Sequence, residues 1–194
     1  MQPSDALAAV TPVVEALNRL GVVYYLGGSI ASSAYGVARA TLDVDLIADL
    51  AQKHVNSLVE LLRSAYYINR RAVEDAVARK SCFNAIHMAT MFKVDVFAVK
   101  DRPYDRVALG RIRRDSLDPE APSSEFYLVS AEDIVLAKLE WFRLGEEVSE
   151  RQWLDVVGVL RVQQDSLDRA YLAKWAAELD VADLLKRAWQ ESGG

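Results

Sequence analysis

Two aspartates one residue apart, Asp43 and Asp45, open the otherwise apolar run DVDLIA at residues 43–48. Successive side chains of a β-strand point to opposite faces, so in a strand both carboxylates share one face while Val44 and Leu46 take the other. Two like charges this close repel each other unless a cation neutralises them. The run therefore predicts a strand with a carboxylate face, and such oxygen ligands favour a hard cation, with Mg²⁺ as the first candidate.

A glycine-rich turn, Gly27-Gly28-Ser29, follows the β-branched and aromatic run VVYYL at residues 22–26, which predicts a buried strand. Glycines let the backbone approach a phosphate closely, and the turn opens onto the N-terminus of a short helix predicted over residues 29–36. Ser29 could donate its hydroxyl to a phosphate oxygen. The turn is a candidate phosphate site, and a tight strand-to-helix connection without a ligand is the alternative.

A third carboxylate, Asp95, lies in the run FKVDVFAV at residues 92–99, which the run FNAIHMA at residues 83–89 precedes as a predicted hairpin partner. A lone aspartate among apolar strand residues is costly unless something pairs with it. If its strand lies beside the strand of Asp43 and Asp45, three carboxylates converge. They could then hold two Mg²⁺ ions, one on a triphosphate and one on an attacking oxygen.

Composition excludes several classes of protein. The 194 residues are 52% hydrophobic, which suits one domain or one domain with a small helical appendage, and the net charge of −5 argues against a general nucleic-acid coat. No DNA-binding motif is present. Cys82 is the only cysteine, so no intrachain disulfide or cysteine zinc site is expected. Neither a signal peptide nor a membrane-spanning segment is found, which predicts a cytoplasmic protein.

The pattern of elements predicts an α+β fold, with a small mixed β-sheet flanked by helices and a C-terminal helical region packed on it. We expect a core over residues 1–129 and the helical region over residues 130–194. Further predicted elements are a first helix capped by Ser4 or Asp5, a helix over 51–67, a helical excursion over 70–80, short edge strands in GRIRRDSL and EFYLVS, and four helices from Ser130 onward.

The motifs LGGS, TLDVDL and VDVF together resemble those of the polymerase-beta-type nucleotidyltransferase superfamily. The sequence is more closely similar to small bacterial nucleotidyltransferases of the abortive-infection toxin class, a type IV toxin–antitoxin class, through RATLDVDL, SAEDIVLAKLEWFR and LDVVGVL. The resemblance covers roughly residues 20–160. It implies a nucleotidyltransferase fold and the transfer of a nucleoside monophosphate from an NTP to an acceptor hydroxyl, with release of pyrophosphate.

The resemblance also implies roles for individual residues. Ser29, with Gly27 and Gly28, would bind nucleotide phosphate; Asp43 and Asp45 would ligate Mg²⁺; Asp95 would complete the metal site and act as base; Lys138 would reach the triphosphate; Asp155 would support the site. The family often has an acidic residue three positions before the equivalent of Asp155, where this chain has Gln152. The role of Asp155 and the polar support of Lys138 stay open. Arg39 could contact phosphate or balance Asp43.

The acceptor also stays open at this point. A toxin-like enzyme would modify tRNA or protein and could have an antitoxin partner, whereas an enzyme similar to the aminoglycoside nucleotidyltransferases would modify a small molecule. The basic runs at 69–80 and 110–116 could face RNA, although charge runs are usually solvated faces. A further alternative is a non-catalytic module that binds nucleotide or a partner.

Overall fold

The computed structural model describes residues 3–39, 41, 43–116 and 125–193. The strands are β1 (Tyr24–Leu26), β2 (Asp43–Ala48), β3 (Tyr66–Tyr67), β4 (Cys82–His87), β5 (Lys93–Ala98), β6 (Arg113–Ser116) and β7 (Glu125–Leu128). The helices are α1 (Pro3–Arg19), α2 (Gly28–Tyr35), α3 (Gln52–Leu62), α4 (Arg70–Arg79), α5 (Pro103–Leu109), α6 (Ala131–Leu144), α7 (Glu150–Gln163), α8 (Arg169–Glu178) and α9 (Ala182–Ser192). Among the residues described, none of the helices combines the length and the apolar character needed to cross a membrane.

The strands form one mixed sheet in the order β3-β4-β5-β2-β1-β7-β6. Strand β2 lies at its centre, parallel to β5 and antiparallel to β1. The predicted alternation along β2 is confirmed, because Val44, Leu46 and Ala48 are fully buried while the two aspartates are half-buried. The apolar face of β2 therefore fixes the direction in which its carboxylates point.

Most predicted elements are present, with four differences. Helix α1 begins at Pro3, so the predicted cap at Ser4 or Asp5 is wrong. The helix predicted over 51–67 ends at Leu62, and the two-residue strand β3 follows. Strand β7, predicted at an edge, lies between β1 and β6, and the seven-residue helix α5 was not predicted. Ser130 is confirmed as a cap, since its hydroxyl accepts from the amide of Asp133 at 3.1 Å.

The chain divides into two compact units. The first, the sheet unit, comprises residues 1–27 and 41–128, and the second, the helical unit, comprises residues 28–40 and 129–194. The predicted boundary between residues 129 and 130 stays a prediction. The segment 28–40 groups with the C-terminal helices.

In the helical unit, α2 packs against α6 and α7. Its end approaches α7 so closely that a Cβ on Gly36 would lie 2.9 Å from the backbone amide nitrogen of Val159. Gly158 lies against Val37 in the same contact. The absence of side chains at these two glycines lets backbone pack against backbone, which fixes α2 and the residues after it on α7.

Candidate active site

The three predicted carboxylates lie on the neighbouring strands β2 and β5 of the sheet unit. The parallel register sets Asp43 opposite Lys93 and Asp45 opposite Asp95. Paired strands are about 4.8 Å apart, so Asp45 and Asp95 are cross-strand neighbours. The adjacency of the two strands, on which the convergence of carboxylates depends, is therefore confirmed.

Asp95 is buried and has a polar partner on each oxygen. The Lys93 ammonium donates to its Oδ2 at 2.6 Å, and the Asn84 amide, which faces Asp95 across the β4–β5 hairpin, donates to its Oδ1. Asp43 accepts at Oδ1 from the Thr41 hydroxyl at 3.0 Å. These partners supply the compensation that a buried carboxylate requires.

The Lys93 ammonium lies in the field of all three carboxylates. The hydrogen bond to Asp95 raises the pKa of Lys93, and the negative charges of Asp95, Asp43 and Asp45 add to it. Among the described residues, no group of three or more His, Cys, Asp or Glu side chains is arranged to hold a metal ion. The Lys93 ammonium and the Asn84 amide contact the two Asp95 oxygens, and the role of the three carboxylates as metal ligands stays a prediction. The oxygen donors themselves fit a hard cation.

The helical unit contains a second set of candidate residues, which we name the cationic cluster: Ser29, Arg39, Lys138, Gln152 and Asp155. The Arg39 guanidinium donates from Nε and Nη2 to the two Asp155 oxygens at 2.9 Å each, and Nη2 also donates to the Ser29 hydroxyl. The Lys138 ammonium lies 2.8 Å from Asp155 Oδ2 and 3.1 Å from Gln152 Oε1. One carboxylate therefore holds both cations.

Three helices position this cluster. Ser29 is in the first turn of α2, Lys138 is on α6, and Gln152 and Asp155 lie one turn apart on α7, where residues three apart share a face. The side chains of Lys138 and Asp155 are only 5% and 7% exposed, whereas that of Arg39 is 26% exposed. Burial alone would raise the pKa of Asp155, but the hydrogen bonds from Arg39 and Lys138 hold it below its ordinary value. Asp155 is therefore ionised at neutral pH.

The glycines of the predicted phosphate turn have separate local roles. Gly28 has a φ of +52°, in the left-handed region that favours glycine. The Gly27 amide donates to the Asp45 carbonyl at 3.0 Å, and a Cβ on Gly27 would lie 2.8 Å from Ile47 Cδ1. Both glycines are thus explained by conformation and packing, and their predicted part in phosphate binding stays a prediction.

Neither a protein-family model nor a curated protein matches the sequence. Solved structures do match. The solution structure of the antibiotic-resistance factor ANT(2'')-Ia covers 96% of this chain and 99% of its own, with a TM-score of 0.58 at 14% identity. The crystal structure of an antigenic nucleotidyltransferase-like protein from Paracoccidioides brasiliensis covers 94% of this chain and 93% of its own, with a TM-score of 0.54 at 18% identity.

The chain has the nucleotidyltransferase fold. The predicted α+β class, with a mixed sheet flanked by helices, is confirmed. The likeness to the superfamily therefore holds at the level of the fold. The narrower likeness to the toxin class stays a prediction.

Within this nucleotidyltransferase fold, the structure brings the predicted residues into two sets, one for each unit. Arg39 pairs with Asp155, which the sequence had not connected, since the two residues are 116 positions apart. Asn84 was missed as a partner of Asp95. The hairpin predicted from residues 83–99 could have indicated this contact, because its register sets Asn84 opposite Asp95.

Proposed function

We propose that this protein is a metal-dependent nucleotidyltransferase, which moves a nucleoside monophosphate from an NTP to an acceptor hydroxyl and releases pyrophosphate. The observation that most supports the proposal is the β2–β5 register, which sets Asp45 opposite Asp95 with Asp43 on the same strand face. It occurs in a chain with the fold of known nucleotidyltransferases.

In this proposal, Asp43, Asp45 and Asp95 hold one or two Mg²⁺ ions. Bound Mg²⁺ supplies charge neutralisation to the triphosphate and to the developing charge on the reacting oxygens. The arrangement of Lys93 supports this assignment, because one cation already lies in the field of the three carboxylates. The Lys93 side chain is about half-exposed and can swing into solvent, which would release Asp95 Oδ2 for a new partner.

Asp95 also acts as the base. The acceptor oxygen attacks the α-phosphorus, the bond from that phosphorus to the pyrophosphate oxygen breaks, and the acceptor proton passes to Asp95. The Asn84 amide keeps hold of one Asp95 oxygen, so the carboxylate is oriented when Lys93 leaves the other. Positioning and charge neutralisation then account for most of the rate.

The cationic cluster binds the triphosphate. Ser29 donates its hydroxyl, and Arg39 and Lys138 supply two positive charges held in place by one carboxylate. Charge-assisted hydrogen bonds of this kind are among the stronger ones available to a protein. We also propose that Gly27 and Gly28 let the backbone approach the phosphates.

The acceptor we favour is a small hydroxyl-bearing molecule. In the basic run at 69–80, Arg70 pairs with Glu60 at 3.2 Å, and Lys80 pairs with Asp101 at 3.8 Å, so part of its charge is compensated. An antibiotic-resistance factor also has the same fold over nearly its whole length. A tRNA or protein acceptor would indicate a toxin-like enzyme and justify a search for an antitoxin.

The test is label transfer from each α-labelled NTP with Mg²⁺ to three pools: hydroxyl-rich antibiotics, total tRNA and cell protein. We expect transfer and pyrophosphate release by the parent with one pool. Asp45→Asn should lose both activity and Mg²⁺–NTP binding. Asp95→Asn should bind Mg²⁺–NTP within about tenfold of the parent, or about 1.4 kcal/mol, and lose transfer by several orders of magnitude.

Asp49→Asn is the matched control, because Asp49 follows β2 but pairs with Arg106 at 3.0 Å on the surface. It should retain both binding and transfer. A parent protein that binds Mg²⁺–NTP but releases no pyrophosphate with any pool would be a nucleotide-binding module instead of an enzyme. Equal transfer by the parent and Asp95→Asn would remove Asp95 from catalysis.

A further inference from the structure

The Lys93 side chain lies among the carboxylates that the proposed function assigns to metal. The register of β2 and β5 sets two neighbouring cross-strand pairs on one face of the sheet, Asp43 opposite Lys93 and Asp45 opposite Asp95. Residues two apart on a strand share a face, so Lys93 and Asp95 lie side by side on β5. The Lys93 Nζ is 2.6 Å from Asp95 Oδ2. A positive side chain thus stands where a divalent cation would bind.

This ammonium and a divalent cation would compete for Asp95. The carboxylate is buried, and the Asn84 amide donates to its other oxygen. A metal ion on Asp95 would therefore either replace the ammonium or lie close to it. In the second case two positive charges would repel each other at short range. Binding of a free metal ion to Asp95 is thus opposed by the Lys93–Asp95 ion pair.

The Lys93 side chain is suited to hold Asp95 reversibly. It is 44% exposed, so water can solvate the ammonium when it leaves the carboxylate. An ammonium on a flexible stem is a point charge, whereas the planar guanidinium of an arginine would grip a carboxylate with two parallel hydrogen bonds. While the metal is absent, the same contact gives the buried Asp95 a charged partner, which stabilises it.

The form in which the metal arrives decides how strongly Lys93 opposes it. A free divalent cation brings only positive charge towards the ammonium. A divalent cation bound to an NTP arrives in a complex that is negative overall, and its phosphate oxygens can accept charge-assisted hydrogen bonds from a displaced ammonium. Lys93 therefore disfavours the free ion more than it disfavours the metal–nucleotide complex.

We propose that Lys93 sets the metal specificity of this site: it holds Asp95 in the metal-free protein, weakens the binding of free divalent cations, and gives way to a divalent cation that arrives with a triphosphate. The proposal rests on the proposed function for the carboxylates as metal ligands and for the NTP as substrate. Lys93 acts on the metal through Asp95.

The decisive variant is Lys93→Met, which keeps most of the length of the side chain and removes its charge. Electron paramagnetic resonance of free Mn²⁺ measures binding of the metal alone, calorimetry measures binding of Mg²⁺–NTP, and urea denaturation without metal measures stability. We expect Lys93→Met to bind free Mn²⁺ about tenfold more tightly than the parent, or about 1.4 kcal/mol. Its Mg²⁺–NTP affinity should not rise, and its unfolding midpoint should fall by about 0.5 M urea. A purely structural lysine would lower metal affinity and stability together.

Three controls isolate the charge and the place of binding. Lys93→Arg keeps the charge, so it should bind free Mn²⁺ no more tightly than the parent does. Lys80→Met removes the same charge from a pair with Asp101 at 3.8 Å in the same unit, and should change neither Mn²⁺ affinity nor stability appreciably. Adding Asp45→Asn to Lys93→Met should abolish the gain if the extra Mn²⁺ binds at the carboxylates.

The possible failures are distinct. If Mg²⁺–NTP binds but Lys93→Met holds free Mn²⁺ no more tightly than the parent, the inference is wrong and the proposed function is untouched. The inference is also wrong if Lys93→Met gains the same factor in affinity for Mg²⁺–NTP as for free Mn²⁺, since Lys93 would then not distinguish the two. If neither protein binds Mn²⁺ or Mg²⁺–NTP, the metal site of the proposed function fails, and the inference fails with it.

Discussion

Replacing Asp155 by asparagine tests whether one buried carboxylate holds the helical unit together. Asp155 accepts two hydrogen bonds from Arg39 and one from Lys138, all between 2.8 and 2.9 Å. Asparagine has the same shape but no charge. The variant would take away the negative charge that both positive side chains contact.

The expected loss of stability is large for one substitution. Removing one partner of a buried ion pair costs about 3–5 kcal/mol. Because Arg39 is 26% exposed and water can still solvate it, we expect the lower end, about 3 kcal/mol. With a denaturant slope of about 2 kcal/mol per molar urea, the unfolding midpoint should fall by about 1.5 M.

The effect should depend on pH in a direction that the pKa of Asp155 determines. That pKa is below its ordinary value in the folded protein, so the carboxylate stabilises the folded state above its unfolded-state pKa. This contribution is lost as the pH falls through the lower, folded-state pKa. The gap in free energy of unfolding between parent and Asp155→Asn should stay constant from pH 7 to about 5 and close below about 4.

Tryptophan fluorescence is a suitable probe, because all four tryptophans, Trp141, Trp153, Trp175 and Trp189, lie in the helical unit. The control is Asp183→Asn, which breaks an exposed ion pair to Arg143 in the same unit and should leave the midpoint almost unchanged. A gap below about 1 kcal/mol for Asp155→Asn, or one that persists in acid, would refute the assigned role.

Three further substitutions test the packing around the site. Gly36→Ala should destabilise the helical unit by about 1–3 kcal/mol in urea, because the new Cβ would lie 2.9 Å from the Val159 amide nitrogen. Gly28→Val should lower the melting temperature, since a β-branched residue at a φ of +52° costs about 1–2 kcal/mol, and it should also weaken Mg²⁺–NTP binding. Tyr171→Phe should cost about 1–3 kcal/mol in free energy of unfolding, because buried Asp133 loses a 2.6 Å hydrogen bond.

The central strands were predictable because their patterns are strong and local. Residues 43–46 alternate between aspartate and an apolar residue, and β2 has the bounds predicted for the run DVDLIA. The hairpin of β4 and β5 follows from two apolar runs separated by a short turn. Short elements escaped prediction, since two residues in β3 and seven in α5 are too few to show a period.

The partners of the site residues were less predictable. Asp155 was a candidate through resemblance, but nothing near it in the sequence indicates Arg39, which lies 116 positions away. The grouping of α2 with the C-terminal helices was also not predictable, because these segments are far apart in the sequence. The packing role of Gly36 and Gly158 is visible only in the folded structure, where two distant segments meet. In the sequence, a lone glycine is equally consistent with a turn.

Helix α2 leaves the ribosome long before its packing partners on α6 and α7. At 5–20 residues per second, roughly 6–25 s separate the synthesis of residue 35 from that of residue 163. An eight-residue helix is unstable alone. We therefore expect the α2 segment to stay unfolded while the rest of the sheet unit, which follows it in the sequence, is synthesised. A chain released before α7 would carry the carboxylates of β2 and β5, but Arg39 would have no Asp155 to bind.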